Sequence, residues 1–393
     1  LTEVIGSGGY GPDQNNLLWE YGAVFNTGYA GGLAYVPGST SANLPSYGIH
    51  IHEIGHNLGS GHNCTSENGW RCSFGGTAMC NRGNTLSGNS GDQYSSHTID
   101  IAIKYQQLMF SGNNYDYQMG WQQSPTLNNI PQVFVPESGF TIPKETPFVL
   151  EGYAIDENIN TQLTYSWEQN DASNISFSPP DYPSDTGPLF CSVDASSDGN
   201  KRYFPQMESL LNNNYSTGSI EQLPFALREI NMRLLARDNN LVSGGYNYKN
   251  VQFFVDENSG PFRVTSQEEE EIWEVGSLQS ITWDVANTDN STSVNCTSVD
   301  ILLSVNGSDF DIILAEGIPN NGSYSITVPA IPSNNATRIM VKSSDNIFFD
   351  INHSFLTIVN SNVPEISMDT SAMLLSLQSE STYMIERNIE NSG

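Results

Sequence analysis

The sequence predicts a multidomain chain, an α+β unit at its start followed by all-β sandwiches, and three observations carry that expectation. The chain has 393 residues, too long for one ordinary core. Helical patterning with capping residues is confined to roughly the first 110 positions. From about residue 130 the texture changes to short alternating runs separated by Asn-, Ser-, Gly- and Pro-rich turns, the pattern of antiparallel strands.

Residues 1 to about 45 read as strand and loop, with Gly31-Gly32-Leu33-Ala34-Tyr35-Val36 as a short strand. A helix begins near Ser46, which can serve as its N-cap, and runs to about Leu58, where Gly59 and Gly61 end it. A Cys- and Gly-rich stretch follows. Ser96 can then cap a second helix from Thr98 to about Phe110, with Ile99, Ala102, Ile103 and Phe110 on one side.

In the β region the expected strands include Pro147–Tyr153, Leu163–Trp167 and Asn231–Ala236, then Ser280–Val285, Val299–Leu303, Tyr324–Val328 and Arg338–Val341. The Ser259-Gly260-Pro261 break divides them into two units of roughly 100 residues, the size of immunoglobulin-like modules. The expected domains are therefore 1–127, 128–258 and 259–360, with 361–393 as the opening of a further, truncated β module.

Against 43 Asp and Glu stand 14 Lys and Arg, a formal net charge of −29. Such a surface repels nucleic acid and anionic membranes, so neither is an expected partner. Hydrophobic residues make up 37%, enough to fold rather than stay disordered. No run approaches the ~20 apolar residues that span a bilayer. The start, Leu1-Thr2-Glu3, has neither Met nor an apolar leader segment and reads as a fragment or mature boundary. Of five Cys, Cys64, Cys72 and Cys80 fall within 17 positions, which fits a disulfide in an exported protein.

One constellation carries chemistry. His52 and His56 are four apart, so on a helix both imidazoles project from one face. Gly59 permits a sharp turn out of that helix, which returns His62 as a third nitrogen ligand. Three neutral nitrogens leave one position open, the mark of a catalytic zinc site. Glu53 sits beside the first ligand, placed to act as general base on a water whose pKa zinc lowers to about 7.

His52-Glu53-x-x-His56-x-x-Gly59-x-x-His62 resembles the extended metzincin signature at every defined position. The chain is similar to the reprolysin-like (adamalysin-like) branch, particularly bacterial multidomain secreted metallopeptidases. That resemblance implies zinc held by His52, His56 and His62, Glu53 as general base, and Met79 in Gly75-Gly76-Thr77-Ala78-Met79-Cys80 as the Met-turn. It implies that Gly32, Leu33 and Ala34 belong to an edge strand holding substrate by β-augmentation, and that Thr98–Phe110 is the helix after the Met-turn. Only 51 residues precede His52, about half of what the family places there, so its first strands and helix are expected to be missing. Asn63 stands where adamalysins usually have Asp, and Asn81 where some branches place Tyr.

The β region resembles modules that follow such catalytic domains. The matching stretches are Ile142-Pro143-x-x-Thr146-Pro147-Phe148, Leu163-Thr164-Tyr165-x-Trp167-Glu168-Gln169, Arg202-Tyr203-Phe204-Pro205 and Asp345-Asn346-Ile347-Phe348-Phe349-Asp350.

Blander readings stand beside these. His50, His97 and His353 read as packing or surface residues. Cys64, Cys72 and Cys80 fit a second zinc site less well than one disulfide, with Cys64 and Cys80 the preferred pair. Cys191 and Cys296 are expected to be buried thiols. Asp156-Glu157, Asp238 and Asp256 are calcium (Ca2+) candidates, though a solvated acidic loop is the simpler reading. The Glu268–Glu271 run reads as a solvated loop or strand edge, and the sequons at Asn63, Asn174 and Asn306 follow from composition.

The expected function is a secreted or cell-surface zinc (Zn2+) endopeptidase acting on protein or peptide substrates, its β modules serving attachment or substrate targeting. The alternative is a surface adhesion protein whose metalloprotease-like domain is inactive.

Overall fold

The computed structural model describes residues 70–71, 94–110, 128–158, 162–173, 189–190, 192–215, 221–240, 244–332, 334–360, 366–367 and 390–391. The zinc-signature segment, the Gly32–Ala34 strand, Met79, and Cys64, Cys72, Cys80 and Cys191 lie outside the described residues, as does almost all of 361–393.

The first described elements are β1 (Trp70–Arg71) and α1 (Ser96–Phe110). A first sandwich, module 1, follows with β2 (Gln132–Phe134), β3 (Thr141–Pro143), β4 (Phe148–Glu151), β5 (Tyr153–Ile155), β6 (Thr164–Gln169) and β7 (Ala172–Ser173). It continues through β8 (Lys201–Phe204), a short α2 (Met207–Leu211), β9 (Arg228–Arg237) and β10 (Tyr246–Asp256).

One sheet of module 1 runs β3-β10-β9-β6, opposed by the pairs β4-β8 and β2-β5. Its opening strand β3 lies parallel to its closing strand β10, while β9 is antiparallel to both β10 and β6. Gly152 separates β4 from β5. A Cβ there would come within 2.6 Å of the Phe134 carbonyl oxygen and 2.5 Å of Leu234 Cδ2, so only glycine fits.

Module 2 comprises β11 (Arg263–Val264), β12 (Glu271–Glu274), β13 (Leu278–Asp284), β14 (Ser298–Ser304) and β15 (Ile312–Pro319). Its remaining strands are β16 (Ser323–Thr327), β17 (Asn334–Ser343), β18 (Phe349–Ile351) and β19 (Leu356–Val359). The sheet β11-β13-β16 faces β12-β19-β17-β14-β15, with β18 on β17 and β12 parallel to β19. β20 (Ile366–Ser367) and β21 (Glu390–Asn391) pair with each other further on.

Two opposed sheets, a parallel pairing of an early strand with the last one and a buried tryptophan in each module describe immunoglobulin-like sandwiches. The tryptophans are Trp167, whose indole donates to the Asn200 carbonyl at 3.0 Å, and Trp283, whose indole donates to Asn320 Oδ1 at 2.8 Å. Alternation in the sequence thus predicts the β architecture correctly, and the Glu268–Glu271 run is exposed where it enters β12. Among the described residues no helix is long and apolar enough to cross a membrane.

The two modules share a core. Buried residues from Val133 to Ile358 form one continuous apolar cluster, and a second joins Val149 and Leu210 to Phe310, Met340, Phe349 and Ile351. Phe148 and Phe348 form a β-bridge across the junction, flanked by Val149 N–H to the Ile347 carbonyl and Phe349 N–H to the Pro147 carbonyl, both 2.9 Å. Thr146 Oγ1 accepts from the Phe262 amide at 3.0 Å, and Asn346 donates to the Thr141 carbonyl at 2.8 Å. All but one of the stretches singled out as accessory motifs meet at this seam. They are there to join modules.

Candidate functional site

The described elements nearest the signature in sequence are β1, after His62, and α1, after Met79; both rest on module 1. β1 pairs antiparallel with β7, Trp70 opposite Ser173 and Arg71 opposite Ala172. α1 begins two residues earlier than the sequence predicts, and its cap is Ser95 rather than Ser96. Ser95 Oγ accepts from the Thr98 amide at 3.2 Å, and its carbonyl accepts from the Ile99 amide at 3.1 Å. The physical reason for the shift is a carboxylate from another part of the chain. Glu168, on β6, accepts from the Ser96 amide at 3.0 Å and from Ser96 Oγ at 2.7 Å. Ser96 is therefore the first residue inside the helix, and Glu168 places negative charge at the positive end of the helix dipole.

Around this contact the outer face of the β6-β9-β10 sheet supplies charged partners. Arg233 on β9 donates to Ser96 Oγ at 3.0 Å and pairs with Asp100 on α1 at 3.4 Å. Its guanidinium lies 3.8 Å from the ring centroid of Tyr248, whose hydroxyl donates to the same Asp100 at 3.0 Å. Asn250 Oδ1 accepts from Arg233 Nε at 2.8 Å. Arg237 donates to the Tyr94 carbonyl at 2.8 Å and to Ser166 Oγ at 3.3 Å; burial pulls its guanidinium pKa down, opposed by nearby Glu168. Glu168, Arg233, Ser95, Ser96 and Thr98 are all buried. Burial raises the Tyr248 phenol above its ordinary value, the Arg233 guanidinium opposes, and the Asp100 carboxylate adds to the rise.

A second polar cluster lies in the seam between modules. Asp350 on β18 is fully buried, accepting from the Val264 amide at 2.8 Å and from Tyr215 OH at 3.1 Å. Arg263 approaches Asp350 at 3.9 Å and stacks over the Tyr215 ring at 4.2 Å. Burial pushes Asp350 up to about 6, with Arg263 and its hydrogen bonds opposing. Burial, followed by the charge of Asp350, drives the Tyr215 phenol well above its ordinary value. His353 Nε2 lies 3.3 Å from Tyr215 OH, so this histidine is a packing residue, as its sequence context predicts.

Among the described residues no group of three or more His, Cys, Asp or Glu side chains converges as metal ligands would. Asp238 and Asp256 are buried turn anchors, which corrects the reading of these two as solvated loop carboxylates. Asp238 accepts from the amides of Asn240 and Gly245 at 3.0 and 2.7 Å, and from the Asn128 amide side chain. Burial alone would raise it; these donors hold it below the usual carboxylate range. Asp256 accepts from Ser259 Oγ at 2.6 Å, the Asn258 amide at 3.0 Å and Ser293 Oγ, with the same result. Asp156 accepts from the Asn158 amide at 2.7 Å, and Glu157 is exposed. Cys296 is a buried free thiol, and burial raises its pKa. Asn306 caps its own turn, accepting from the amides of Ser308 and Asp309 at 3.0 and 2.9 Å.

No family model and no curated protein matches the chain. Several solved structures match it at low overall similarity. They include fibronectin(III)-like modules of Clostridium thermocellum CbhA, at 8% identity and TM-score 0.21 over 59% of this chain and 96% of that one. Tandem Ig repeats of Dlar match at 10% identity and TM-score 0.30, covering 58% and 98%. Drosophila N-cadherin EC1-4 matches at 14% identity and TM-score 0.20, covering 62% and 53%.

Proposed function

We propose that this chain is a secreted zinc-dependent endopeptidase of the metzincin type carrying immunoglobulin-like accessory modules. One observation carries the reading: the ordered signature His52, Glu53, His56, Gly59 and His62, complete at each position that the chemistry requires. Three imidazoles and an adjacent carboxylate are a donor set that fits zinc, with His52, His56 and His62 as holders. When bound there, zinc would supply Lewis-acid polarisation of a peptide carbonyl and a more acidic water. Glu53 takes the proton of the attacking water and delivers it to the leaving amine. Gly32, Leu33 and Ala34 align the substrate backbone as an added strand. The two fused sandwiches serve attachment to surfaces or matrix, or substrate targeting.

The test is zinc analysis together with cleavage of an unfolded protein by the chain and by its Glu53→Ala variant. The reading expects zinc in both and cleavage reduced by at least about a hundredfold in the variant, the scale of general acid–base catalysis. Equal cleavage by the two proteins would remove Glu53 from the reaction. The extent of the sandwich region favours a second reading, a surface adhesion protein with an inactive metalloprotease-like part. Zinc bound without any cleavage by the wild-type chain would favour it.

A further inference from the structure

Module 1 is fastened to module 2 by more than the bridge between Phe148 and Phe348. A strap of module 1, made of α2 and the residues that follow it to Tyr215, also lies against module 2. Leu210 packs in one apolar cluster with Phe310, Met340, Phe349 and Ile351. Arg338 on β17 donates to the Leu211 carbonyl at 3.0 Å and to the Asn352 carbonyl, and Asn213 donates to the His353 carbonyl at 3.1 Å. The strap ends on a buried carboxylate, where Tyr215 OH donates to Asp350 Oδ1 at 3.1 Å.

That carboxylate is thinly compensated. It is wholly buried, with donors from the Val264 amide at 2.8 Å, the Ile351 amide and the Tyr215 phenol. Arg263 stands off at 3.9 Å, its guanidinium occupied by the Tyr215 ring and by the carbonyls of Phe262 and Glu145. A phenol has one hydrogen to give, and here it goes to Asp350. His353 Nε2, 3.3 Å from the same oxygen, is therefore the ring nitrogen that carries a hydrogen and donates. The strap thus contributes the middle member of a chain of three titratable groups, His353, Tyr215 and Asp350. Arg263 and Arg338 are the cations facing that chain among the described residues. A buried anion with few donors favours any motion that returns it to water, whereas the neutral acid does not.

We propose that the strap is an acid-tightened latch: proton uptake by Asp350 strengthens the hold of α2 and Tyr215 on module 2, and loss of that proton loosens it. The joint between modules is firm in mildly acidic surroundings and looser in alkaline ones, and the proposed zinc site takes no part. The sign follows from burial, which raises Asp350 to about 6 from its ordinary 3.8. The closed strap binds the proton more tightly than a lifted one that hydrates the carboxylate. Closure is therefore strongest below 3.8 and loses this contribution as pH rises through 6. Between pH 8 and pH 5 the difference amounts to about tenfold in the closing equilibrium.

The experiment follows amide exchange of Leu210, Asn212 and Asn213 in the 393-residue chain from pH 8 to pH 5, corrected for the intrinsic pH dependence of exchange. Wild type is compared with Asp350→Asn, Tyr215→Phe and Asn320→Ala, the last stripping the indole partner of Trp283 within module 2. Protection in the wild type should rise about tenfold on acidification, with a midpoint near pH 6. Asp350→Asn should hold the acid level of protection at every pH. Tyr215→Phe keeps the ring and removes one donor from the carboxylate, so its midpoint should move to higher pH. A role confined to packing would lower protection without moving the midpoint. Asn320→Ala should leave both midpoint and amplitude as in the wild type. If Asp350→Asn does not fold, the midpoint of Tyr215→Phe carries the test. A flat wild-type profile, a profile that survives in Asp350→Asn, or an unmoved midpoint in Tyr215→Phe would overturn the latch.

Discussion

The two junctions made by module 1 are of opposite kinds. Toward module 2 it shares a largely apolar core, with the Asp350, Arg263 and Tyr215 cluster enclosed beside it. Phe148 stacks on Phe204 at 4.8 Å between ring centroids and meets Phe190 and Phe253 edge-on, while Phe262 and Phe348 pack edge-on at 5.3 Å beyond the seam. Toward α1 it offers Glu168, Arg233, Arg237 and Tyr248. Apolar burial stabilises over any geometry that excludes water, whereas buried charges stabilise only the one arrangement that satisfies them. The first junction supplies cohesion and the second supplies position. A device that must locate a helix to within a fraction of an ångström is better served by the second.

The contrast can be broken most sharply at the seam with module 2. Phe348 is fully buried, and Phe348→Ala should cost about 3–5 kcal/mol. Urea unfolding of the wild type should show one transition for residues 128–360, shifted to lower urea by the substitution. Two separate transitions in the wild type would mean that the modules are independent despite the shared core.

The next effect tests the charge hidden in that seam. Asp350 has a folded-state pKa of about 6 against an ordinary 3.8. The folded protein therefore binds its proton more readily than the unfolded chain does between those values. Above pH 6 the fold carries the cost of a buried anion, on the order of 3 kcal/mol at one unit per 1.36 kcal/mol. That cost disappears as pH falls through 6 and is gone below 3.8. Asp350→Asn should accordingly gain stability relative to wild type at pH 8 and lose that advantage at pH 4. A difference in urea midpoint that stays constant across this range would refute the assignment. Arg263, Tyr215, His353 and Arg338 are the other charged or titratable groups facing this cluster, and they are unchanged in the comparison.

The smallest effect belongs to the polar junction. Ser95→Ala removes the cap of α1 and should cost about 1 kcal/mol. It should speed amide exchange of Thr98–Ala102 without moving the unfolding transition of the sandwiches. An unfolding shift as large as that of Phe348→Ala would erase the distinction drawn between the junctions.

Much of the fold was legible in the sequence because strand periodicity is local. The Leu163–Trp167 run became β6, Asn231–Ala236 lies within β9, and the 2-residue alternation of Ser280–Val285 became β13. The seam was half legible. Thr146, Phe148 and Phe348 stood out as motif residues, yet no local pattern reveals that Phe148 and Phe348 lie opposite each other. The α1 junction was invisible for the same reason. Glu168 is 72 positions from Ser96, and a Ser-Ser pair offers two equally good caps until that carboxylate chooses between them. Asp238 and Asp256 misled because acidity was read without its donors, which come from turns folded by the strands around them. The proposed zinc signature, by contrast, is written wholly in short spacings and lies outside the described residues, so that reading rests on the sequence alone.

The parallel pairing of β12 with β19 also fixes how module 2 answers a mechanical load. An early strand of the sandwich, β12, lies beside the strand by which the chain leaves it. A pull on the two ends drives these neighbours past each other along their length, so the Glu271–Glu274 ladder bears the force together instead of opening one bond at a time. A module stitched in this way behaves as a shear clamp, and tension on one side of it reaches the other before the sandwich extends.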